Sequence, residues 1–212
     1  MKQLNLIPLE ERKKIDIQEN NEPLVEIFET EKISLLSGHK YRSPFLRKTV
    51  LEKLIEASQI LPSQYKLLVI TAYRPRNMQK KLWHGRLRQM AKKHFFQMIF
   101  NHRKWKNIAS KYTAPPGTSS HQCGAAIDVT VISEDGDRLD MGTSLNDFGH
   151  RVNTFSDLIT DEQNENRMIL YNAMTKAGFI NYPLEWWHFS YGDQMWAAYN
   201  NLKNCMYGPL NK

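Results

Sequence analysis

Residues 125–132 read Ala-Ala-Ile-Asp-Val-Thr-Val-Ile, an apolar run rich in β-branched side chains with one carboxylate, Asp128, at its centre. Such a run favours a buried strand. A carboxylate buried alone is costly, because its charged form loses its water shell. Asp128 therefore either sits on the exposed face of a half-buried strand or meets a cation or several donors. The chain just ahead supplies one partner: His121 is presented from a loop rich in Pro, Gly and Ser, and Gly124 lets the backbone turn closely between the two.

A second cluster lies downstream in Glu185-Trp186-Trp187-His188. The two tryptophans predict a shielded, low-dielectric setting, which raises a carboxyl pKa towards the range of a general base or acid. A neutral imidazole is a metal ligand. The three-residue spacing puts Glu185 and His188 on one face of a helix. In a strand it puts them on opposite faces, so a turn at Glu185 is required if His188 lies on a strand. An aromatic core strand with a rim glutamate is the alternative.

Together the clusters hold two histidines and a carboxylate, which leave a fourth zinc position open, as in catalytic rather than structural sites. Glu185 is free to carry a proton, and Arg74, at the end of an apolar run, can stabilise an oxyanion. His39, His84, His94, His102 and His150 lack such neighbours and read as surface or packing residues. Two cysteines, Cys123 and Cys205, are too few for a disulfide scaffold or a thiolate zinc cage, and two free thiols is the simpler reading.

Charge is unevenly spread. The net charge is +7, yet residues 57–127 carry thirteen Lys or Arg and no Asp or Glu. This admits a nucleic-acid contact, but the aromatics in the stretch (Trp83, Phe95, Phe96, Phe100, Trp105) fit helical core spacing as well as base stacking. A solvated basic helix face is preferred, and no nucleic-acid partner is expected. The 212 residues, 41% hydrophobic and 24% charged, suit one globular domain. The longest apolar runs, such as residues 67–70, are too short to span a bilayer, and residues 1–20 have no apolar signal core.

Residues 1–43 read as an irregular N-terminal segment with short strands near 24–28 and 33–36. Phe45, Leu46, Val50, Leu51, Leu54, Ile55 and Ile60 form a helical stripe that Pro62 and Ser63 stop. Strands are predicted at 66–73, 125–132 and 184–191. One or two helices fill 76–106, a helix capped by Asp161 runs to Lys176, and a short one covers 194–202. Residues 139–160 read as a long irregular segment. The order predicts an α+β fold, one small domain with a central antiparallel sheet flanked by helices.

These motifs resemble those of the zinc D,D-peptidases of the VanX/VanY type, and more nearly the VanX-like D-alanyl-D-alanine dipeptidase branch. Tyr73-Arg74-Pro75 matches its Tyr-Arg-Pro, and residues 119–130 match its Ser-Ser-His-x-x-Gly-x-Ala-Ile-Asp-x-Thr. Asp140-Met141-Gly142-Thr143, Asn166-Arg167, Gly178-Phe179 and the Leu-Glu-Trp-Trp-His of residues 184–188 follow in family order. The resemblance implies that His121, Asp128 and His188 hold one zinc ion, that Glu185 is general base and then acid, and that Arg74 polarises the scissile carbonyl. Ser119 and Ser120 fall where the family contacts substrate. It implies a catalytic domain over residues 44–212 that cleaves D-Ala-D-Ala to two D-alanines. The expected compartment is the cytoplasm, or an exported location if a leader has been removed. Residues 145–152 and the first 43 depart from the pattern. The alternatives are a D,D-carboxypeptidase or an endopeptidase acting on longer peptidoglycan peptides.

Overall fold

A computed structural model describes residues 5–36, 43–145 and 147–210, and the side chains among them except those of 93–100 and 102–103. His39, and the side chains of His94, Phe95, Phe96, Phe100 and His102, lie outside that description. In chain order the elements are α1 (Leu9–Arg12), β1 (Asp16–Ile17), β2 (Leu24–Glu26), β3 (Ile33–Leu35), β4 (Phe45–Arg47), α2 (Lys48–Ile60) and β5 (Tyr65–Thr71). There follow α3 (Arg76–Phe100), α4 (His102–Ser110), a 3-10 turn (Ser120–Cys123), β6 (Ala126–Ser133) and a second 3-10 turn (His150–Val152). The last elements are α5 (Asp161–Lys176), β7 (Ile180–Asn181), β8 (His188–Ser190), α6 (Gln194–Tyr199) and β9 (Asn204–Cys205).

The central sheet has five strands in the order β3-β5-β6-β8-β7. The fold is α+β, but the sheet is mixed rather than antiparallel: β3 runs parallel to β5, while the other pairings are antiparallel. The reason lies in the connection. The chain between β3 and β5 passes through α2, and a crossover of that length returns it in the same direction.

Alternation along β6 divides the sheet into two faces. Ile127, Val129 and Val131 point into the main core, with Leu67 and Val69 of β5, and α2 and α5 cover that face through Val50, Leu54, Ala57, Leu170 and Met174. Asp128 and Thr130 point the other way, into a cavity. The α2 stripe begins later than its periodicity predicts. Phe45, Leu46 and Arg47 instead pair with β2, which buries Leu46 and Arg47. The cap of α5 is Thr160 rather than Asp161: Thr160 Oγ1 accepts from Gln163 N–H while the Gln163 side chain accepts from Thr160 N–H.

Two buried arginines tie distant segments. Arg47 donates to Cys123 O at 2.8 Å and pairs with Glu19 at 3.0 Å, with Tyr207 stacked beside it. Arg167 donates to the carbonyls of Met141 (2.8 Å), Asn153 (2.7 Å) and Arg151 (2.9 Å). It thereby fastens the segment between β6 and α5, whose Thr143 Oγ1 accepts from the Trp186 indole at 2.9 Å.

Candidate active site

Three neighbouring stretches of the sheet converge on one point. Asp128 on β6 is the registered partner of His188 on β8 and of Thr71 on β5. A bulge between Val69 and Thr71 shifts the register there, and such bulges re-aim the chain beyond them. Ala72, Tyr73 and Arg74 leave the sheet from that point. Arg74 N–H donates to His121 O at 3.0 Å, which joins the end of β5 to the turn carrying His121. That turn closes at Gly124, whose φ is +67° and where a Cβ would collide with Leu24 Cδ2.

His121 Nδ1 lies 2.8 Å from Ala72 O. A carbonyl only accepts, so Nδ1 carries the proton and the Nε2 lone pair faces the site. Nε2 is 3.3 Å from Asp128 Oδ1, and His188 Nδ1 is 3.0 Å from the same oxygen. The two rings meet edge to face with centroids 4.9 Å apart. All three donor atoms lie within 4.8 Å of one another. Two imidazole nitrogens and a carboxylate oxygen are a zinc donor set, and the two short separations match the edge of ~3.3 Å expected for a tetrahedron with ~2.0–2.1 Å bonds. The residues present therefore fit a divalent metal.

Burial works to raise the Asp128 carboxyl, but the charge and hydrogen bonds of His121 and His188 outweigh it and hold that carboxyl well below its ordinary value. Burial lowers His121, against the pull of Asp128. His188 is raised: burial opposes this, and the hydrogen bond and charge of Asp128 prevail.

Glu185 and His188 are joined by a turn, in which His188 N–H donates to Glu185 O at 3.2 Å, with Trp186 and Trp187 at its two central positions and both buried. The strand predicted over 184–191 accordingly begins only at His188. Asn181, fully buried, donates its side-chain amide to the carbonyls of Glu185 and His188, both at 3.1 Å, and so fixes both ends of the turn. Burial raises the Glu185 carboxyl to about 7, partly countered by His188 and Arg74 and supported by Asp128. Arg74 Nη2 stands 3.6 Å from Asp128 Oδ2, and burial lowers its pKa against the pull of Asp128 and Glu185.

A cavity of about 990 Å³ holds His121, Asp128, Glu185, His188 and Arg74 in its wall, with Ser119 and Ser120 beside them. All seven residues singled out from the sequence thus line one space. The basic stretch 57–127 contributes Lys81, Arg86 and Lys111 to the same wall. His84 and His150 are exposed and lie elsewhere. Sequence reasoning missed Gln79, whose buried side chain accepts from Arg74 Nη1 at 3.0 Å and donates to Ala114 O at 2.6 Å. It also missed Arg12 and Tyr182, which line the same cavity.

A family model described as D-ala-D-ala dipeptidase matches residues 37–206. A D-alanyl-D-alanine dipeptidase of Synechocystis sp. is 30% identical over a 235-residue alignment that covers 93% of each chain. Another, from Escherichia coli strain K12, is 29% identical over 141 residues, 66% of this chain and 62% of its own. Among solved structures, VanYB in complex with D-alanine-D-alanine matches with a TM-score of 0.50 at 18% identity, covering 94% of this chain and 93% of that one. At that identity the likeness speaks for the fold.

Proposed function

The chain belongs to the D-ala-D-ala dipeptidase family of peptidases, and from that membership we propose that it hydrolyses the D-Ala-D-Ala dipeptide to two D-alanines with the help of one zinc ion. The observation that carries this reading is the meeting of three ligand atoms within 4.8 Å beside a glutamate whose pKa burial raises to about 7.

His121 Nε2, the Asp128 carboxylate and His188 Nδ1 would hold the metal. Bound there, zinc supplies Lewis-acid activation of water and of the scissile carbonyl. Glu185 is the proton carrier: its carboxylate accepts a proton from the attacking water and later delivers it to the leaving amine. A carboxyl with a pKa near 7 is suited to both steps at neutral pH. The Arg74 guanidinium, held by Gln79, offers N–H donors to the oxygen on which negative charge develops. Ser119 and Ser120, in the same wall, contact the substrate. Trp186 and Trp187, both buried, follow Glu185 in the turn, and burial keeps its proton affinity high.

The test is release of free D-alanine from D-Ala-D-Ala by the zinc-loaded protein, with and without a chelator. Chelator-sensitive release is expected, and no release from folded, zinc-loaded protein overturns the reading. One observation favours a second reading, trimming of longer peptides. The cavity lies at the upper end of the ~300–1,000 Å³ usual for small-molecule sites. Faster cleavage of a pentapeptide ending in D-Ala-D-Ala than of the free dipeptide would select it.

A further inference from the structure

A dipeptide substrate carries a carboxylate close to the bond that is cut, and Asp128 and Glu185 repel it. Neutral donors in the wall can accept such a group, but a cation grips it more strongly. Arg74 is engaged by Asp128 at 3.6 Å and by Gln79 at 3.0 Å. Arg86 donates to Thr113 Oγ1 at 3.2 Å and to Gln89 Oε1 at 3.0 Å, and lies over the Phe148 ring. Lys81, Lys111 and Arg138 are exposed. Arg12 differs from all of them.

Arg12 is the last residue of α1 and is half-buried. Its acidic neighbours pair elsewhere: Glu10 with Lys13 at 3.1 Å and Glu11 with Lys14 at 2.7 Å. Its guanidinium instead reaches into the cavity wall and lies over the Tyr182 ring, 5.5 Å from the centroid. Among the described residues its Nε–H is buried with no hydrogen-bond partner, and no carboxylate lies within ion-pair distance. Tyr182 is itself fixed, by its hydroxyl to Lys111 O at 2.8 Å and by its N–H to His188 O at 2.9 Å. Its ring meets that of His188 edge to face, with centroids 6.0 Å apart. The segment bearing Arg12 is anchored too, since Gln194 Nε2 donates to Ile15 O at 2.8 Å and Ile7 N–H to Tyr199 Oη at 3.3 Å. A guanidinium with an unpartnered buried N–H, lying over an aromatic ring that meets His188, has donors to offer a carboxylate that enters the cavity.

We propose that Arg12 is the anchor for the C-terminal carboxylate of the peptide substrate, so that the N-terminal segment completes the specificity site. The proposal rests on the dipeptidase reading above, and its test separates the two. In zinc-loaded protein carrying Glu185→Gln to stop turnover, calorimetry measures binding of D-Ala-D-Ala and of its C-terminal amide. The acid is expected to bind about 10–100-fold more tightly than the amide, the range of a charge-assisted hydrogen bond. Adding Arg12→Gln is expected to erase that preference, and Arg12→Lys, which keeps the charge but not the fork, to retain part of it. A preference that survives Arg12→Gln, or that is absent before it, overturns the anchor. In the Glu185-intact protein, Arg12→Gln is expected to raise KM with little change in kcat. Release of D-alanine with KM unchanged by Arg12→Gln sinks the anchor and leaves the dipeptidase reading standing. Arg12-dependent binding of the acid without any D-alanine release does the reverse.

Discussion

Gln79 holds Arg74: its Oε1 accepts from Arg74 Nη1 at 3.0 Å, and its own amide is fixed by Ala114 O at 2.6 Å. The guanidinium is thereby oriented by the first turns of α3 and by the loop after α4. Replacing Gln79 by Leu is expected to lower kcat about 10-fold through loss of one hydrogen bond to a charged group, with KM little changed. In an Arg74→Ala background the same change is expected to cost nothing further, because the two act as a unit. Steady-state kinetics of the four proteins tests this, and additive losses would show that Gln79 acts elsewhere.

Glu185 must be ionised to accept a proton. Burial raises its pKa to about 7 in the metal-free protein, and a bound divalent cation pulls it down, so kcat/KM of the loaded protein is expected to climb with pH below that value. Glu185→Gln is expected to keep zinc and to lose activity by about 10²–10⁴-fold. Rates across pH 5–9 check the first expectation, and metal content with rate checks the second.

The same shift has a sign for stability. The folded carboxyl has a pKa of about 7 against an ordinary 4.5, so between those values the folded metal-free protein binds more protons than the unfolded chain. Stability contributed by Glu185 is present below pH 4.5 and is lost as pH rises through about 7. Glu185→Gln should therefore raise the Tm of metal-free protein at pH 8, and the gain should shrink towards pH 5. A gain that is constant with pH would mean that the carboxyl is not perturbed.

The ligand assignment predicts one zinc per chain and a rise in Tm on adding it, about 2.7 kcal/mol of added stability at a free concentration 100-fold above Kd. Asp128→Asn and His188→Ala are each expected to abolish stoichiometric binding. Metal analysis after gel filtration reads this directly, and a variant that retains one equivalent removes that residue from the ligand set.

Arg167 is buried and donates to three backbone carbonyls. Arg167→Met leaves those carbonyls without partners and is expected to destabilise the fold by about 3 kcal/mol or more. Urea unfolding measures it. A loss below 1 kcal/mol would mean that water replaces the guanidinium.

The centre of the site was legible because it is written in two short stretches. His121, Gly124 and Asp128 lie within eight residues, and Glu185 and His188 within four, so local chemistry marked each cluster as a candidate while leaving an ordinary strand reading open, and it was the family resemblance that joined them into one site. Gln79 and Arg12 were not legible. A glutamine on a basic helix and an arginine among glutamates and lysines look like surface residues, and only tertiary proximity gives them partners or withholds them. The direction of β3 was hidden for a related reason: alternation reveals a strand's buried face, not which way its neighbour runs. Phe45–Arg47 misled because a three-residue strand leading directly into α2 adds to the same apolar stripe.

The register of β6 against β8 also orders events at the ribosome. Asp128 and His121 emerge first, and their partner His188 follows Asp128 by 60 residues, several seconds of synthesis at ~5–20 residues per second. Until then the nascent chain would offer a metal only two of the three proposed ligands, and those without the β6–β8 pairing that aligns them. A three-ligand site of this kind would therefore form only in the finished domain, not in a cluster captured during translation.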